Sequence, residues 1–182
     1  MSYIAFEGPL DLDSTLMSGQ TFRWIRDSHE PIAETNPWYT GVVFNNLIRL
    51  RLVTEGIEFR CFPDDELFIR TKIKDYLRLD DDLNEIYRAI NRDDQIDNAI
   101  TKYRGLRLLR QEPWECLISF ICSAVSNIPR ITSNVENLSV TYGRKLSNGT
   151  CSRWTFPEPG ILASVEESAL RELGLGFRAK YV

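Results

Sequence analysis

The sequence predicts an α+β protein in which an antiparallel sheet precedes a set of helices. Residues 3–62 consist mostly of short alternating or β-branched segments joined by turn residues, whereas the apolar period from about Asp64 onward is helical. Strands followed by helices, rather than alternating with them, are typical of α+β folds. Strands joined by short turns imply antiparallel pairing, with one face of the sheet that needs cover.

The strand half contains two hairpin signals. The segments "WYTGVVF" and "LIRLRLV" flank Asn45-Asn46, a pair that favours the tight turn of a hairpin. The stretch "LVTEGIEFRCF" predicts a second hairpin with Glu55-Gly56 at its turn, and "TFRWI" alternates as an upstream strand would. These segments together predict sequential antiparallel strands.

Six candidate helices follow the strands, and residues that start or stop helices mark several of their ends. Glycines at expected stops and prolines in expected first turns are Gly105, Gly143, Pro113 and Pro129. Ser164 and Glu167 have the spacing of a capping box, which predicts Ser164 as the N-cap of the last helix. The candidates lie near residues 65–75, 81–91, 93–104, 113–125, 129–142 and 165–173.

The composition favours a globular protein with a substantial core, since 43% of the 182 residues are hydrophobic and 26% are charged. No apolar run approaches the length of a membrane span, and acidic residues interrupt the N-terminal segment where a signal peptide would be apolar. The four cysteines lack metal-ligand spacing, so we expect reduced thiols, no metal and no cofactor.

Charge is unevenly divided along the chain, although the net charge is only −4. Residues 1–100 hold 11 basic and 19 acidic side chains, whereas residues 101–182 hold 11 and 7. The second half therefore carries the cationic surface on which an anionic partner would bind. An ordinary surface with solvated charges of both signs would give the same balance. Charge alone therefore does not distinguish a binding surface from a solvated one.

Common catalytic motifs are missing from the sequence. It has no G-x-S-x-G, no phosphate-binding glycine-rich loop and no H-E-x-x-H. The single histidine, His29, lies in a polar, loop-like stretch and is interpreted as a solvated side chain.

The most informative segment is "GLRLLRQEPWECLISFICSAVSNIPRIT", residues 105–132. Its apolar positions form one wide face of a buried helix, Ser126-Asn127 ends that helix, and Pro129 starts a second one. Arg130 falls in the first turn of the second helix, where the helix dipole disfavours a cation unless an anion is close. Either Arg130 contacts a phosphate or a base, or Asn127 is simply an N-cap and Arg130 a surface residue.

The segment "ELGLGFRAKYV", residues 172–182, contains two glycines that predict a helix stop and a tight turn before a further helical stretch. Phe177 and Arg178 follow this turn and precede Lys180. An aromatic side chain beside an arginine at a turn can insert between bases and bind phosphate. Alternatively, Phe177 anchors the next helix in the core, and the sequence leaves both interpretations open.

Four separated blocks resemble the eukaryotic-type 8-oxoguanine DNA glycosylases, a family of the helix–hairpin–helix glycosylase superfamily. They are "TLMSGQTFRW", "DYLRLDDDL", the segment of residues 105–132 and "LRELGLGFRAKYV", in the order and at the spacing of that family. The resemblance implies a TATA-binding-protein-like antiparallel sheet domain with flanking helices over residues 1–105. It implies the first helices of a helix–hairpin–helix glycosylase domain over residues 106–182.

The resemblance also implies a base-excision-repair reaction on damaged double-stranded DNA. In such an N-glycosylase/AP lyase a lysine amine attacks the sugar C1′ of the 8-oxoguanine nucleotide, and the resulting Schiff base allows strand cleavage. The damaged base must first leave the stack. A monomeric protein of the nucleus, with the mitochondrion as the alternative compartment, is the accompanying expectation.

Five positions match residues with roles in that family. Gly19 matches the glycine whose backbone carbonyl distinguishes the oxidised base by its extra N7 hydrogen. Arg130 and Arg178 match arginines that contact the orphaned cytosine, and Phe177 matches an aromatic wedge that is familiar as tyrosine. Asn127 is the one asparagine kept from a consecutive run, and it is the fifth expected DNA contact.

Two departures from the family pattern change the expectation. Val125 stands where an asparagine normally fills the space left by the flipped base, and valine can neither donate nor accept a hydrogen bond there. In the family the lysine nucleophile and an assisting aspartate follow the block that ends in "YV", so no catalytic residue is assigned here. Lys145 and Lys180 are interpreted as surface lysines. We therefore expect a fragment that is inactive alone and exposes an apolar face.

Two other functions stay open. A truncated relative that only binds DNA or another protein would share these features without catalysis. A helix–hairpin–helix glycosylase for alkylated purines would share the fold, although Gly19 and the pair Arg130 and Arg178 argue against it. A catalytic lysine in the same protein would distinguish the enzyme from the inactive relative.

Overall fold

The chain folds as an antiparallel sheet followed by helices, which confirms the α+β prediction. The computed structural model describes residues 2–27, 36–54, 56–149 and 151–182. The strands of the main sheet are β1 (Ser2–Ala5), β2 (Ile25–Arg26), β3 (Tyr39–Val43), β4 (Asn46–Val53) and β5 (Gly56–Phe62). Their spatial order is β1-β5-β4-β3-β2, and each neighbouring pair is antiparallel.

Both predicted hairpins are confirmed. Phe44 and Asn45 join β3 to β4 with φ angles of 52° and 58°, which are the left-handed values of a type I′ turn. The turn thus lies one residue before the predicted pair, and Asn46 is already the first residue of β4. Strands β4 and β5 pair up to Val53 opposite Gly56, while Glu55 of the predicted turn lies outside the described residues.

The predicted strand at "TFRWI" is wrong for most of its length, because only the last of its residues belongs to β2. Arg23 and Trp24 are both buried although they are consecutive, and a strand with one covered face alternates instead. The Trp24 indole N–H donates to the hydroxyl of Tyr76 at 3.0 Å. Contacts with distant side chains therefore decide the conformation of this segment.

All six predicted helices are present. Aspartate side chains accept backbone N–H groups at the starts of several, namely Asp11, Asp65, Asp82 and Asp93. Within the described ranges the helices are α1 (Leu12–Leu16), α2 (Glu66–Tyr76), α3 (Leu83–Ile90), α4 (Asp94–Lys102), α5 (Pro113–Ser123), α6 (Ile128–Tyr142), α7 (Pro159–Leu162) and α8 (Glu167–Leu170). None of them combines the length and apolar character needed to cross a membrane.

Three short elements were not predicted: α1, α7 and the hairpin of β6 (Lys145–Ser147) with β7 (Ser152–Trp154). Helices of one turn and strands of three residues are too short to show a period in the sequence. After α8 the chain continues through a wide turn over Arg171–Leu175 and a 3₁₀ segment over Gly176–Tyr181. The predicted helical stretch at the end of the sequence is thus present in 3₁₀ form.

The capping box predicted at Ser164 is wrong. The hydroxyl of Ser164 donates to the carbonyl of Ile161 at 2.7 Å, in the turn that ends α7. Glu166 takes the N-cap position of α8 instead, without a side-chain capping bond. The preceding turn therefore engages the serine that the local sequence pattern assigns to the next helix.

Two main hydrophobic clusters and one small one hold the layers together. The first packs α1 and α2 on one face of the sheet, and the second joins α5, α6, α8 and the 3₁₀ segment. The third, formed by Val42, Leu47 and Leu146, ties the opposite sheet face to β6. The division of domains at residue 105 stays a prediction.

A buried ion pair fixes α5 against the strand half. Arg23 donates to Glu115 at 3.2 Å and also to the carbonyl of Trp154 in β7. Burial raises the pKa of Glu115, and the charge of Arg23 acts against that rise. Glu112, at the start of α5, accepts the backbone N–H of Phe44 at 3.2 Å, and burial raises its pKa as well.

Candidate nucleic-acid interface

The turn between α5 and α6 has a strained backbone and an exposed apolar tip. Val125 has a φ angle of 49°, in the left-handed region that β-branched residues rarely adopt. Its side chain is 90% exposed, so no packing contact offsets this conformation. The Asn127 side chain then accepts the backbone N–H of Arg130 at 3.0 Å and caps α6.

Arg130 stands free at the N-terminus of α6. Arg130 is exposed, and its guanidinium makes no hydrogen bond or ion pair within the described ranges. The α6 dipole places partial positive charge next to this cation, an arrangement that an anion would stabilise. Asn127 is therefore an N-cap, as one interpretation held, while the exposure of Arg130 leaves it available to a phosphate or a base.

Arg178 connects the end of the chain to this turn. Its side chain is only 2% exposed, and its Nε and Nη2 donate to the carbonyls of Ala124 and Val125 at 2.8 Å each. Nη2 also donates to the carbonyl of Ala124 at 2.5 Å, and Nη1 donates to the carbonyl of Leu175 at 3.3 Å. Most of its N–H groups are thus engaged by backbone oxygens, so in this conformation the guanidinium positions the turn. A direct contact of Arg178 with a base stays a prediction.

Phe177 points away from the core. Its side chain is 49% exposed, which excludes the interpretation that it anchors the next helix. Gly174 and Gly176 have φ angles of 94° and 59°, so the chain turns sharply at a place where side chains with a Cβ would be strained. The Arg178 guanidinium lies 4.6 Å from the centre of the Phe177 ring and supports it from the protein side.

Gly19 lies against the first residue of α6. It has a φ angle of 85°, and a Cβ at this position would come within 3.0 Å of the Ile128 side chain. The loop of Gly19 and the turn of Val125 are therefore neighbours. Together with the bonds of Arg178, this contact joins three segments into one surface, which we call the candidate interface: Gly19, Asn127, Arg130, Phe177 and Arg178.

Two glutamines that the sequence analysis did not assign hold the Gly19 loop. The amide of Gln20 donates to the carbonyl of Arg107 at 3.0 Å and accepts the N–H of Leu109 at 3.0 Å. Gln111 donates to the carbonyl of Gln20 at 2.6 Å. Gln20 follows Gly19 directly, but partners about 90 residues away leave no signal in the local sequence.

In the described part of the chain, the candidate interface has neither a buried lysine nor a group of metal ligands. Lys145 and Lys180 are both exposed, in agreement with their interpretation as surface lysines. Burial raises the pKa of Cys122 to about 11, so this thiol beneath the α5–α6 turn stays protonated at neutral pH. Groups of three or more potential metal ligands do not occur in the described part of the chain, and His29 lies outside it.

Comparison with protein families gives a match over most of the chain. The family described as 8-oxoguanine DNA glycosylase, N-terminal domain, matches residues 3–117. Among curated proteins, an N-glycosylase/DNA lyase of Saccharomyces cerevisiae is 33% identical over 95% of the chain, and the N-glycosylase/DNA lyase OGG1 of Arabidopsis thaliana is 31% identical over 95%. The chain spans 48% and 47% of their lengths, about half of each.

Solved structures show the same architecture. The chain aligns over its whole length with MBOgg1, solved with a low-affinity DNA ligand, at a TM-score of 0.85 and 28% identity, and it covers 63% of that protein. The Clostridium acetobutylicum 8-oxoguanine glycosylase/lyase gives a TM-score of 0.84 at 28% identity, over 64% of its chain. A 3-methyladenine DNA glycosylase from Archaeoglobus fulgidus, at a TM-score of 0.75 and 14% identity, shares the fold.

Proposed function

Because this chain belongs to the 8-oxoguanine DNA glycosylase family, with residues 3–117 matching that family's N-terminal domain, we propose that it serves in the removal of 8-oxoguanine from duplex DNA. The whole protein would be a base-excision-repair N-glycosylase/AP lyase. The observation that carries this proposal is the junction of three distant segments at the candidate interface, made by the Gly19–Ile128 contact and the bonds of Arg178. Relatives described as N-glycosylase/DNA lyases support it.

Each part of the candidate interface has a task in this proposal. The exposed guanidinium of Arg130 would contact the cytosine or a phosphate opposite the lesion. Phe177 would fill the gap in the stack, since aromatic rings inserted between bases stabilise a distorted duplex. Asn127 would fix the first turn of α6, and Arg178 would hold the α5–α6 turn from behind. The carbonyl of Gly19 would face the oxidised base.

Catalysis requires a group that these residues do not supply. The attack on C1′ needs a lysine amine in its neutral form, held next to the extruded nucleotide. The exposed, solvated Lys145 and Lys180 lack such a setting. We therefore assign the nucleophile to another part of the protein, and expect these 182 residues alone to bind DNA without cleaving it. The protein would act as a monomer in the nucleus.

Direct binding measurements test the proposal. We expect the chain to prefer a duplex with 8-oxoguanine opposite cytosine over the same duplex with guanine. Arg130→Gln and Phe177→Ala should each lower the affinity about tenfold, the effect of losing a base or phosphate contact or a stacked ring. Arg92→Gln, an exposed arginine outside the interface, is the matched control. Equal affinity of all three variants and the wild type would reject the interface.

Borohydride trapping separates the enzyme from an inactive relative. The coding region is sequenced past Val182, and the complete product is incubated with the 8-oxoguanine duplex and borohydride. A trapped covalent complex supports a lyase with a lysine nucleophile. DNA binding with neither trapping nor base release would favour the non-catalytic alternative. Release of an alkylated purine from an alkylpurine duplex would favour the alkylpurine glycosylase.

A further inference from the structure

A second groove, away from the candidate interface, is rich in arginine. It has a volume of about 470 Å³ and lies between the β6–β7 hairpin and the sheet face opposite the first hydrophobic cluster. None of the five interface residues lines it. Among the residues that the structure describes, four guanidinium groups and one carboxylate do: Arg26, Arg49, Arg60, Arg153 and Asp27.

This charge balance is the reverse of that of the sequence segment that supplies most of the groove. Residues 1–100, which supply three of the four arginines, hold 19 acidic and 11 basic side chains. A concave surface lined mainly by one sign of charge concentrates the electric field and attracts ions of the opposite sign. The groove is therefore a local positive site on an acidic half of the molecule.

The arginines of the groove differ in how they are paired. The carboxylate of Asp27 accepts from Arg49 at 2.6 Å and so neutralises that cation. Arg60 is exposed, and in the part of the chain that the structure describes it has no ion pair. Within the described residues, the one ion pair of Arg153 is a long one of 3.7 Å with Glu136, and its Nε is buried without a hydrogen-bond acceptor.

A buried tryptophan orients the guanidinium groups at one side of the groove. Trp38 is 3% exposed, and Arg49, Arg51 and Arg60 lie over its ring at 4.7, 4.7 and 5.4 Å. A guanidinium stacked on an aromatic ring keeps its N–H groups in its own plane, where they can donate to an oxyanion. Arg60 is therefore held in a restricted orientation before any ligand arrives.

We propose that this groove binds a phosphate group, with Arg60 and Arg153 as its principal ligands. Two planar guanidinium donors match the several oxygens of a phosphate. The phosphate can come from the backbone of duplex DNA or from a free polyphosphate. The first source rests on the proposed function, whereas the second does not.

The test has two arms that use the same variants. Fluorescence anisotropy measures binding of an undamaged duplex, and thermal shift measures binding of inorganic pyrophosphate. Arg60→Gln and Arg153→Gln should each weaken binding about tenfold in the arm that represents the true source. Arg92→Gln should match the wild type in both arms. If the source is DNA, each variant also lowers the salt dependence of binding by about one counterion.

Each outcome decides for or against the groove. Arg60→Gln changes an exposed side chain, so its result stands even if Arg153→Gln, which disturbs a buried atom, fails to fold. Weakened duplex binding with unchanged preference for 8-oxoguanine assigns the phosphate to the DNA backbone. If the variants weaken binding of pyrophosphate but not of the duplex, the natural ligand of the groove is a free polyphosphate. This conclusion holds even if the chain has no preference for 8-oxoguanine. If Arg60→Gln equals Arg92→Gln in both arms, the proposal is wrong.

Discussion

At the scale of single residues, Val125 is a position where side chain and backbone conflict. A left-handed backbone costs an ordinary residue about 1–2 kcal/mol, and asparagine is among the residues that tolerate it. We expect Val125→Asn to raise the free energy of unfolding by about 1 kcal/mol in a denaturant titration. Val140→Asn on α6, at an exposed position with helical backbone, is the control and should give no gain. Equal behaviour of the two variants would show that Val125 is not strained.

Gly19 is the second residue whose backbone has a direct consequence. Gly19→Ala adds a Cβ at a φ angle of 85° and within 3.0 Å of the Ile128 side chain. We expect a loss of about 1–2 kcal/mol in the free energy of unfolding, together with loss of binding to 8-oxoguanine duplexes. Gly160→Ala in α7, where a Cβ meets nothing within 4 Å, should leave stability unchanged or slightly higher. A stable Gly19→Ala variant with full binding would contradict the role assigned to this loop.

At the scale of secondary-structure elements, the seam between the strand half and α5 depends on Arg23 and Glu115. Removing one member of a buried ion pair leaves the other charge without its partner, at a cost of about 3–5 kcal/mol. We expect Arg23→Gln to destabilise by about that amount, and Glu115→Gln to do so as well. In a double-mutant cycle the double variant should be more stable than the sum of the single losses predicts. Additive losses would mean that the pair has no direct coupling.

The start of α5 makes stability depend on pH. Burial raises the pKa of Glu112, so the folded state holds a proton that the unfolded state releases. The free energy of unfolding should therefore fall as the pH rises from the unfolded pKa to the folded one. Glu112→Gln keeps an acceptor for the Phe44 N–H but cannot ionise. Its stability relative to wild type should increase through that pH range, as measured by urea titrations at several pH values. A constant difference would contradict the raised pKa.

The elements show which features of the fold the sequence can specify. Local signals sufficed for the β3–β4 hairpin, where Asn45 favours a left-handed turn, and for helices such as α5, where Pro113 takes the first position. They failed at Ser164, whose hydroxyl belongs to the preceding turn. For the site, exposure of Phe177 and Arg130 agrees with the expectation from motifs. The burial of Arg178 depends on carbonyls 53 and 54 residues away, which no local pattern reveals.

At the scale of the whole molecule, an exposed apolar face on α5 accords with the expectation that these helices pack against further protein. Leu117 and Phe120 are 51% and 75% exposed on a helix whose other face is buried. We expect these 182 residues alone to self-associate through this face, and the double variant Leu117→Gln and Phe120→Gln to reduce that self-association in sedimentation experiments and to lower binding of the dye ANS. Its stability should stay close to wild type, whereas Ile118→Gln, at a buried position of the same helix, should unfold the protein. If the double variant self-associates as the wild type does, another surface is responsible for the self-association.

The bonds of Arg178 have a consequence for the order in which the protein matures during synthesis. The main sheet closes over residues 2–62, so all of its strands have emerged from the ribosome early. The carbonyls of Ala124 and Val125 receive their arginine only after more than 50 further residues have been translated. Until then the turn that bears Val125 lacks its stabilising cation. Translation therefore completes the candidate interface after the sheet, and a nascent chain shorter than 178 residues holds a complete sheet beside an incomplete candidate interface.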